Sequence, residues 1–459
     1  MARTALPVIR RMGPLGHPAR LTVAGFMAVN VLGMLLLMLP FASESGTWTD
    51  PVTALFTSTS AVCVTGLVVV DTATYWSAFG EGVILALIQI GGIGIMTAAS
   101  LLGLLVARRM GLRMQLIAQA ETKTLRLGET KRVVIGVITM SLAIEVIVAA
   151  VLTARRLVST TDSFGSALYW GVFHAISAYN NAGFGLHSDN LVSYATDAWI
   201  IAPIMIAFIL GGIGFPVVFE VSRAVSARLR GTRISGWSLH TKITVMTSAG
   251  LLAVGVLLVT ALEWTNPQTL GPLGLPGKLL AGAFQGATPR TAGFNSVDVG
   301  ALHPTTLLVY DALMFIGGGS AGTAGGIKVT TFALLAFVVY AEVRGQPTVH
   351  VMGRRLAATV QRQAIAVALL SLGVVLVSTM ILLQVSRLPL DDVLFEVTSA
   401  FGTVGLSTGI TADLPTAGHL LLIFLMFVGR VGPITLASAL ALREHERRYE
   451  LPEERPIVG

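Results

Sequence analysis

The chain has 459 residues, 54% of them hydrophobic and 12% charged, with a mean hydropathy of +0.77. A soluble domain needs far more surface charge, so the composition describes a polytopic membrane protein. One cysteine, Cys63, excludes an internal disulfide framework, and the formal net charge of +7 sits in short loops between apolar runs, where it fixes topology rather than recruiting nucleic acid.

In chain order, an N-terminal arm (1–20) carries Arg3, Arg10, Arg11 and Arg20. The first apolar run, 21–41, is long enough to span a bilayer and lacks a cleavage site, so no cleavable signal peptide is expected. Further first spans are predicted at 133–154, 241–263 and 364–386, and second spans at 79–106, 195–222, 302–340 and 415–442. Between each pair lies an apolar stretch too short to cross: Pro51–Ala61, Ser166–Tyr179, Gly277–Gly286 and Asp391–Phe401. These suit re-entrant half-helices entering from outside, and Pro51 suits a first helical turn. Eight spans and four re-entrant hairpins result.

Basic residues recur at 107–132, 221–242, 341–363 and in the tail. The positive-inside rule makes these segments, and both termini, cytoplasmic. The re-entrant segments then face outward, and Trp48, Trp76, Trp170, Trp199 and Trp264 fall near outer span ends, as an interfacial belt would place them.

Each short segment runs into the same pattern. Val64-Thr65-Gly66, Asn181-Ala182-Gly183, Thr291-Ala292-Gly293 and Thr403-Val404-Gly405 lie about 110 residues apart, each glycine followed by Leu or Phe. Small residues precede each glycine at five and six positions: Ser60/Ala61, Ser177/Ala178, Ala287/Thr288 and Ser399/Ala400. A four-fold repeat of short backbone loops in a membrane points to a cation selectivity filter, in which carbonyl oxygens replace the ion's water shell. Glycine adopts the backbone conformations that aim carbonyls at one axis. None of the four has an acidic neighbour within two positions. That favours a hard monovalent ion such as K⁺ over a divalent one, which would more often meet an Asp/Glu ring. Re-entrant helix dipoles, C-terminal end inward, add to the attraction. Asp71, Asp189 and Asp298, just beyond three of the motifs, either concentrate cations or are simply solvated.

The domain boundaries expected are repeat 1 at 21–106, repeat 2 with its preceding loop at 107–222, repeat 3 at 223–345, repeat 4 at 346–443 and a tail at 444–459. Repeat 3 is interrupted at 315–328, where six glycines defeat a membrane helix. As a phosphate loop this segment fails, because no Gly-Lys-Ser/Thr is present and no strand leads into it. It reads instead as an intramembrane gating loop, comprising Gly317, Gly318, Gly319, Ser320, Ala321, Gly322, Thr323, Ala324, Gly325, Gly326 and Lys328. Arg430, inside an apolar run, is its expected companion, bonding loop carbonyls or acting as a positive barrier. Glu145 is a second intramembrane charge, and His174 suits packing better than metal ligation. No catalytic or metal-site constellation stands out, so no enzyme activity is expected.

TPRTAGFN (288–295), GGGSAGTAGGIK (317–328), FGTVGLSTG (401–409) and MFVGRVGP (426–433) together resemble the Trk/Ktr/HKT superfamily of K⁺ transporters, over essentially the whole chain. The ending RYELPEERPIVG and the length resemble its KtrB-like branch. The resemblance implies a homodimer in the plasma (inner) membrane, each protomer with its own pore. It also implies a KtrA-like cytosolic ring of RCK subunits that binds ATP or ADP, and Na⁺ as an activator of K⁺ uptake. The glycine-rich loop and Arg430 match family gate elements. Glycine at position 66, where some plant members carry Ser and transport Na⁺, favours K⁺. A coupled symporter is the competing function, and a non-conducting assembly or sensor subunit is a third; inverted repeats mark many symporters, whereas these four repeats share one orientation.

Overall fold

The computed structural model describes residues 18–109, 129–232 and 236–432, with side chains over 23–94, 133–232 and 236–432. The N-terminal arm to His17, most of the 107–132 basic segment, residues 233–235 and everything from Pro433 on, the 444–459 tail included, lie outside the described residues.

The fold is α-helical and built from four copies of one hairpin. Repeat 1 comprises α1 (Pro18–Leu37), the short α2 (Pro51–Val62), a single turn α3 (Thr72–Tyr75) and α4 (Ala78–Arg109). Repeat 2 comprises α5 (Glu129–Ser159), α6 (Phe164–Tyr179), α7 (Ala198–Ile213) and α8 (Phe215–Leu229). Repeat 3 comprises α9 (Leu239–Glu263), α10 (Leu275–Ala287), α11 (Pro304–Phe315) and α12 (Val329–Val343). Repeat 4 comprises α13 (Ala358–Ser386), α14 (Leu390–Gly402) and α15 (Thr416–Val431). Among the described residues, 133–159, 239–263 and 358–386 are long and apolar enough to cross a membrane as single helices.

The short helices start where local chemistry starts them. Asp50 caps α2 by accepting from Val52 N at 2.9 Å and Thr53 N at 3.2 Å, with Pro51 in the first turn. Ser163 caps α6 through Ser166 N at 3.2 Å, and Asp391 and Asp392 occupy the first turn of α14.

Packing closes the four copies into a ring. The short helix of each repeat packs on its own second helix or on that of its predecessor: α6 on α4, α10 on α7, α14 on α11. The series closes because α2 packs on α15, joining repeat 4 to repeat 1. Phe56, Phe173, Phe284 and Phe395 of the four short helices are all fully buried, so the core follows the ring rather than one repeat.

Two expectations need correction. The second span of repeat 2 is not continuous: α7 and α8 meet at Gly214 (φ 98°) with a 108° bend. The elbow has a cause in the loop that fills it, described below. Helix α8 carries the first part of the 221–242 basic segment. Of the tryptophans, Trp48 and Trp199 are exposed (69% and 67%), but Trp76 and Trp170 are buried (2% and 4%) and cannot serve in an interfacial belt. Trp170 stacks on His174, ring centroids 4.1 Å apart, and lies under Arg156 at 4.9 Å. An element the sequence reading missed is a two-stranded hairpin, β1 (His350–Val351) and β2 (Arg354–Arg355), whose Val349 and Val351 pack with Ile243 and Ala341.

Candidate ion pathway and loop

The four glycine motifs follow directly on the C-terminal ends of α2, α6, α10 and α14. Each has the same backbone signature. The residue two before the glycine is left-handed (Val64 φ 55°, Asn181 60°, Thr291 68°, Thr403 48°), and so is the glycine itself (Gly66 98°, Gly183 71°, Gly293 75°, Gly405 92°). Thr65, Ala182, Ala292 and Val404, between them, are not. Alternating φ sign turns successive carbonyls toward one side of an extended segment. Only glycine takes this backbone without steric cost, so the four non-glycine residues are held there by their surroundings.

Those surroundings can be named. The amides point back into the short helices: Thr65 N donates to Ser60 O (2.8 Å), Ala182 N to Ser177 O (2.8 Å) and Val404 N to Ser399 O (2.9 Å). Gly66 N and Gly405 N donate to the Ser60 and Ser399 hydroxyls at 3.0 and 3.1 Å. Repeat 3 differs by one residue, Ala292 N donating to Thr288 O at 3.0 Å. The serines and threonine that precede each glycine therefore tie the segment to its helix. Among the described residues, the carbonyls of Val64, Thr65, Asn181, Ala182, Thr291, Ala292, Thr403 and Val404 accept no hydrogen bond from protein, though all eight residues are buried. Unpaired buried carbonyls are rare, and eight of them lie on these four facing segments.

The segments face one another closely. A methyl group at Gly183 would lie 2.7 Å from Gly293 Cα, one at Gly293 against Val404 O, one at Gly405 2.9 Å from Gly66 Cα, and one at Gly66 3.3 Å from Gly183 Cα. The contacts run in cyclic order and close. Three side chains near the ring, Thr65, Thr291 and Thr403, have hydroxyls without a protein partner, as does Asn181 Nδ2.

Against this ring lies the 316–328 loop. It leaves α11 and returns to α12 through a parallel bridge, Gly317 N donating to Ile327 O at 2.8 Å. It seats in the α7–α8 elbow: Gly319 N donates to Gly212 O (2.8 Å) and Thr323 N to Gly211 O (3.2 Å). Carbonyls at a helix C-terminus lack intrahelical partners, and the loop supplies them, which is why α7 ends here. A side chain at Gly214 would collide with Ser320 O. Above the loop, Thr323 Oγ1 donates to Asn181 Oδ1 at 2.7 Å, and Gly325 lies against Thr403 and Gly402.

Three cations hold the loop. Arg430 is 4% exposed; its Nη1 donates to Thr323 O and its Nη2 to Gly91 O of α4 at 3.1 Å. Lys328 Nζ donates to Ala324 O at 2.5 Å. Arg290 donates to Ser248 O of α9 at 2.7 Å and to Gly317 O at 3.4 Å. Arg290 was not singled out from sequence, although a charged residue one position before Thr291 in TPRTAGFN was its signal.

The remaining candidates have local duties. Glu145 accepts from Gln89 Nε2 (3.0 and 3.1 Å) and Asn180 Nδ2 (3.2 Å), tying α5 to α4 and to the end of α6. His174 bonds Trp170 O at 2.9 Å and packs among aromatic rings. Asp71, Asp189 and Asp298 accept from amides at 73, 193 and 300, the first and last capping short helical turns. Cys63 is buried at the end of α2, and nothing in its contacts explains it.

The sequence matches the TrkH family, described as "Cation transport protein", over residues 16–448. The chain belongs to the TrkH family. It is 41% identical over 434 residues to the Ktr system potassium uptake protein B of Bacillus subtilis, covering 94% of this chain and 95% of that one. It is 34% identical to the potassium/sodium uptake protein NtpJ of Enterococcus hirae, covering 96% and 97%. In structure it is similar to the potassium transporter TrkH of Vibrio parahaemolyticus, with a TM-score of 0.74 over 96% of this chain and 87% of that one, at 17% identity; this likeness concerns the fold. As a TrkH-family member the chain is a multi-pass membrane transport protein and not an enzyme.

Proposed function

We propose that this chain takes up potassium ions through a channel-like pore, with Val64–Gly66, Asn181–Gly183, Thr291–Gly293 and Thr403–Gly405 as its selectivity filter. One observation carries the reading: the four segments meet in cyclic order and close, with a side chain at Gly405 reaching to 2.9 Å of Gly66 Cα. Neutral carbonyls in a buried ring suit a monovalent cation, and the names of the relatives supply the ion, potassium.

The 317–328 loop with Arg430 is the gate in this proposal. It lies directly against Asn181 and Thr403, and the buried Arg430 with the half-buried Lys328 and Arg290 brace it. A positive charge in an ion path opposes cations, so displacing the loop and Arg430 opens the pathway. The basic loops face the cytoplasm in this reading, and a cytosolic RCK ring binding ATP or ADP acts on the gate. The relative from Bacillus subtilis is named as part of a Ktr system, and that from Enterococcus hirae for both potassium and sodium, which supports a partner subunit and Na⁺ stimulation. Homodimers follow the same family pattern.

The test is growth of a bacterium deprived of its own K⁺ uptake. Expression of this chain with an RCK subunit restores growth at limiting K⁺, more strongly with Na⁺ present. Growth no better than that of the empty host, with the chain in the membrane, would overturn the assignment.

A further inference from the structure

Between α7 and α9 lies a pocket of about 180 Å³. Phe208 and Ile209 of α7 and Val245, Ala249 and Leu252 of α9 line it, and Arg290 and the loop residue Gly318 form its buried end. Its rim reaches the outer surface, because Ala249 is exposed. Around that rim, α9 presents Met246 (63% exposed), Val254, Leu257 (69%) and Leu258. Helix α9 is one of the three apolar helices long enough to cross the membrane, so this surface meets hydrocarbon.

We propose that the pocket takes the acyl tail of a membrane lipid. The opening is continuous with the lipid-facing surface of α9, so tails are the molecules at its mouth. The lining excludes other occupants. A trapped water needs two to four polar partners. The polar side chains in the lining, Arg290 and Ser248, bond each other, Arg290 also bonds Gly317 O with its Nε left without a partner, and the rest of the wall is almost wholly apolar. A metal cation finds no carboxylate in the lining and a guanidinium instead. A hydrocarbon chain restores the contacts that an empty apolar space forfeits. The seated tail lies against Gly318 and Arg290 and backs the loop from the membrane side. The binding site itself stands apart from the transport reading.

The test uses the full chain in liposomes whose phosphatidylcholine carries a photoreactive diazirine midway along one tail. After irradiation, adducts are mapped by peptide mass spectrometry. Adducts are expected at Ile209, Val245 or Leu252, as well as on outward-facing Leu257. Ala249→Trp blocks the mouth and Leu252→Trp fills the interior. Each is expected to lower the pocket adducts by about fivefold, an overpacking effect, while Leu257 labelling stays as it was. The Leu257 signal shows that the variants remain folded in the bilayer. Adducts confined to outward residues, pocket adducts unaltered by both substitutions, or a cross-link from the pocket to a second copy of the chain would each overturn the proposal.

Discussion

Arg430 donates to the main-chain oxygen of Thr323, 107 residues earlier, and the Thr323 hydroxyl donates a hydrogen bond to Asn181 Oδ1 at 2.7 Å. The other arm of the guanidinium holds Gly91 O at 3.1 Å. One buried charge thus joins α4 and α15 to a loop that itself touches the second glycine segment. Loop and ring are mechanically linked, and the link can be cut at either end.

Cutting it at Arg430 removes both of its bonds. Hydrogen bonds from charged groups contribute about 1.5–3 kcal/mol each, so losing them shifts a loop equilibrium about tenfold or more. Arg430→Ala is expected to raise basal K⁺ flux in proteoliposomes by that order. Trimming residues 318–325 is expected to do the same. Flux at or below wild type in both variants would remove the loop and Arg430 from the gate.

Cutting it at Thr323 is gentler. Thr323→Val keeps the shape but strands Asn181 Oδ1, at a cost of about 1–3 kcal/mol. Basal flux is expected to rise while the K⁺/Na⁺ ratio holds, because the four glycines are untouched. A changed ratio with unchanged basal flux would mean that Thr323 serves the filter and not the loop.

Glycine substitutions address the filter. Gly405 has φ 92°, and a side chain there meets Gly66 Cα at 2.9 Å and collides with Thr65 O. Gly405→Ser and Gly66→Ser are therefore expected to disturb the ring directly and lower K⁺ over Na⁺ discrimination by about tenfold, the equivalent of ~1.4 kcal/mol. Relative uptake rates of the two ions provide the readout, and unchanged rates would sink the filter assignment.

Much of this arrangement is legible in the sequence, for physical reasons. The short helices at 51–62, 164–179, 275–287 and 390–402 match the predicted re-entrant segments within a few residues, because a stretch too short to span is bounded by apolar runs long enough to do so. The glycine motifs stand out because strained backbone demands one residue type. The bend at Gly214 was passed over: Gly211, Gly212, Gly214 and Pro216 signal a break, but the loop that fills it lies a hundred residues downstream. Trp170 misled for a related reason: position near a span end does not reveal that Arg156 covers its ring. Arg290 was passed over since its partners, Ser248 and Gly317, lie on other elements.

The outer loop carries a pH dependence. Burial, and then the nearby Arg156, hold the His187 imidazole below its ordinary value. A hydrogen bond from Arg156 Nε, 2.5 Å long, holds Asp162 below the usual carboxylate range. Folding keeps His187 neutral, so its stabilising share is present above the unfolded value, about 6.5, and is lost as pH falls through and below it. The Asp162 share goes at lower pH, below about 4. Thermal stability of the purified protein is expected to fall between pH 7.5 and 5.5, and His187→Gln is expected to flatten that fall. An equal slope in the variant would assign the dependence elsewhere.

The most direct measurement is ion flux into liposomes holding the purified Arg430→Ala protein, which in this account conducts without its cytosolic partner. K⁺ entering well ahead of Na⁺ under matched gradients, with no co-ion required, is the predicted result. Equal entry of the two ions, or K⁺ entry only in fixed proportion to a co-transported ion, would contradict a K⁺-selective pore built on the four glycines.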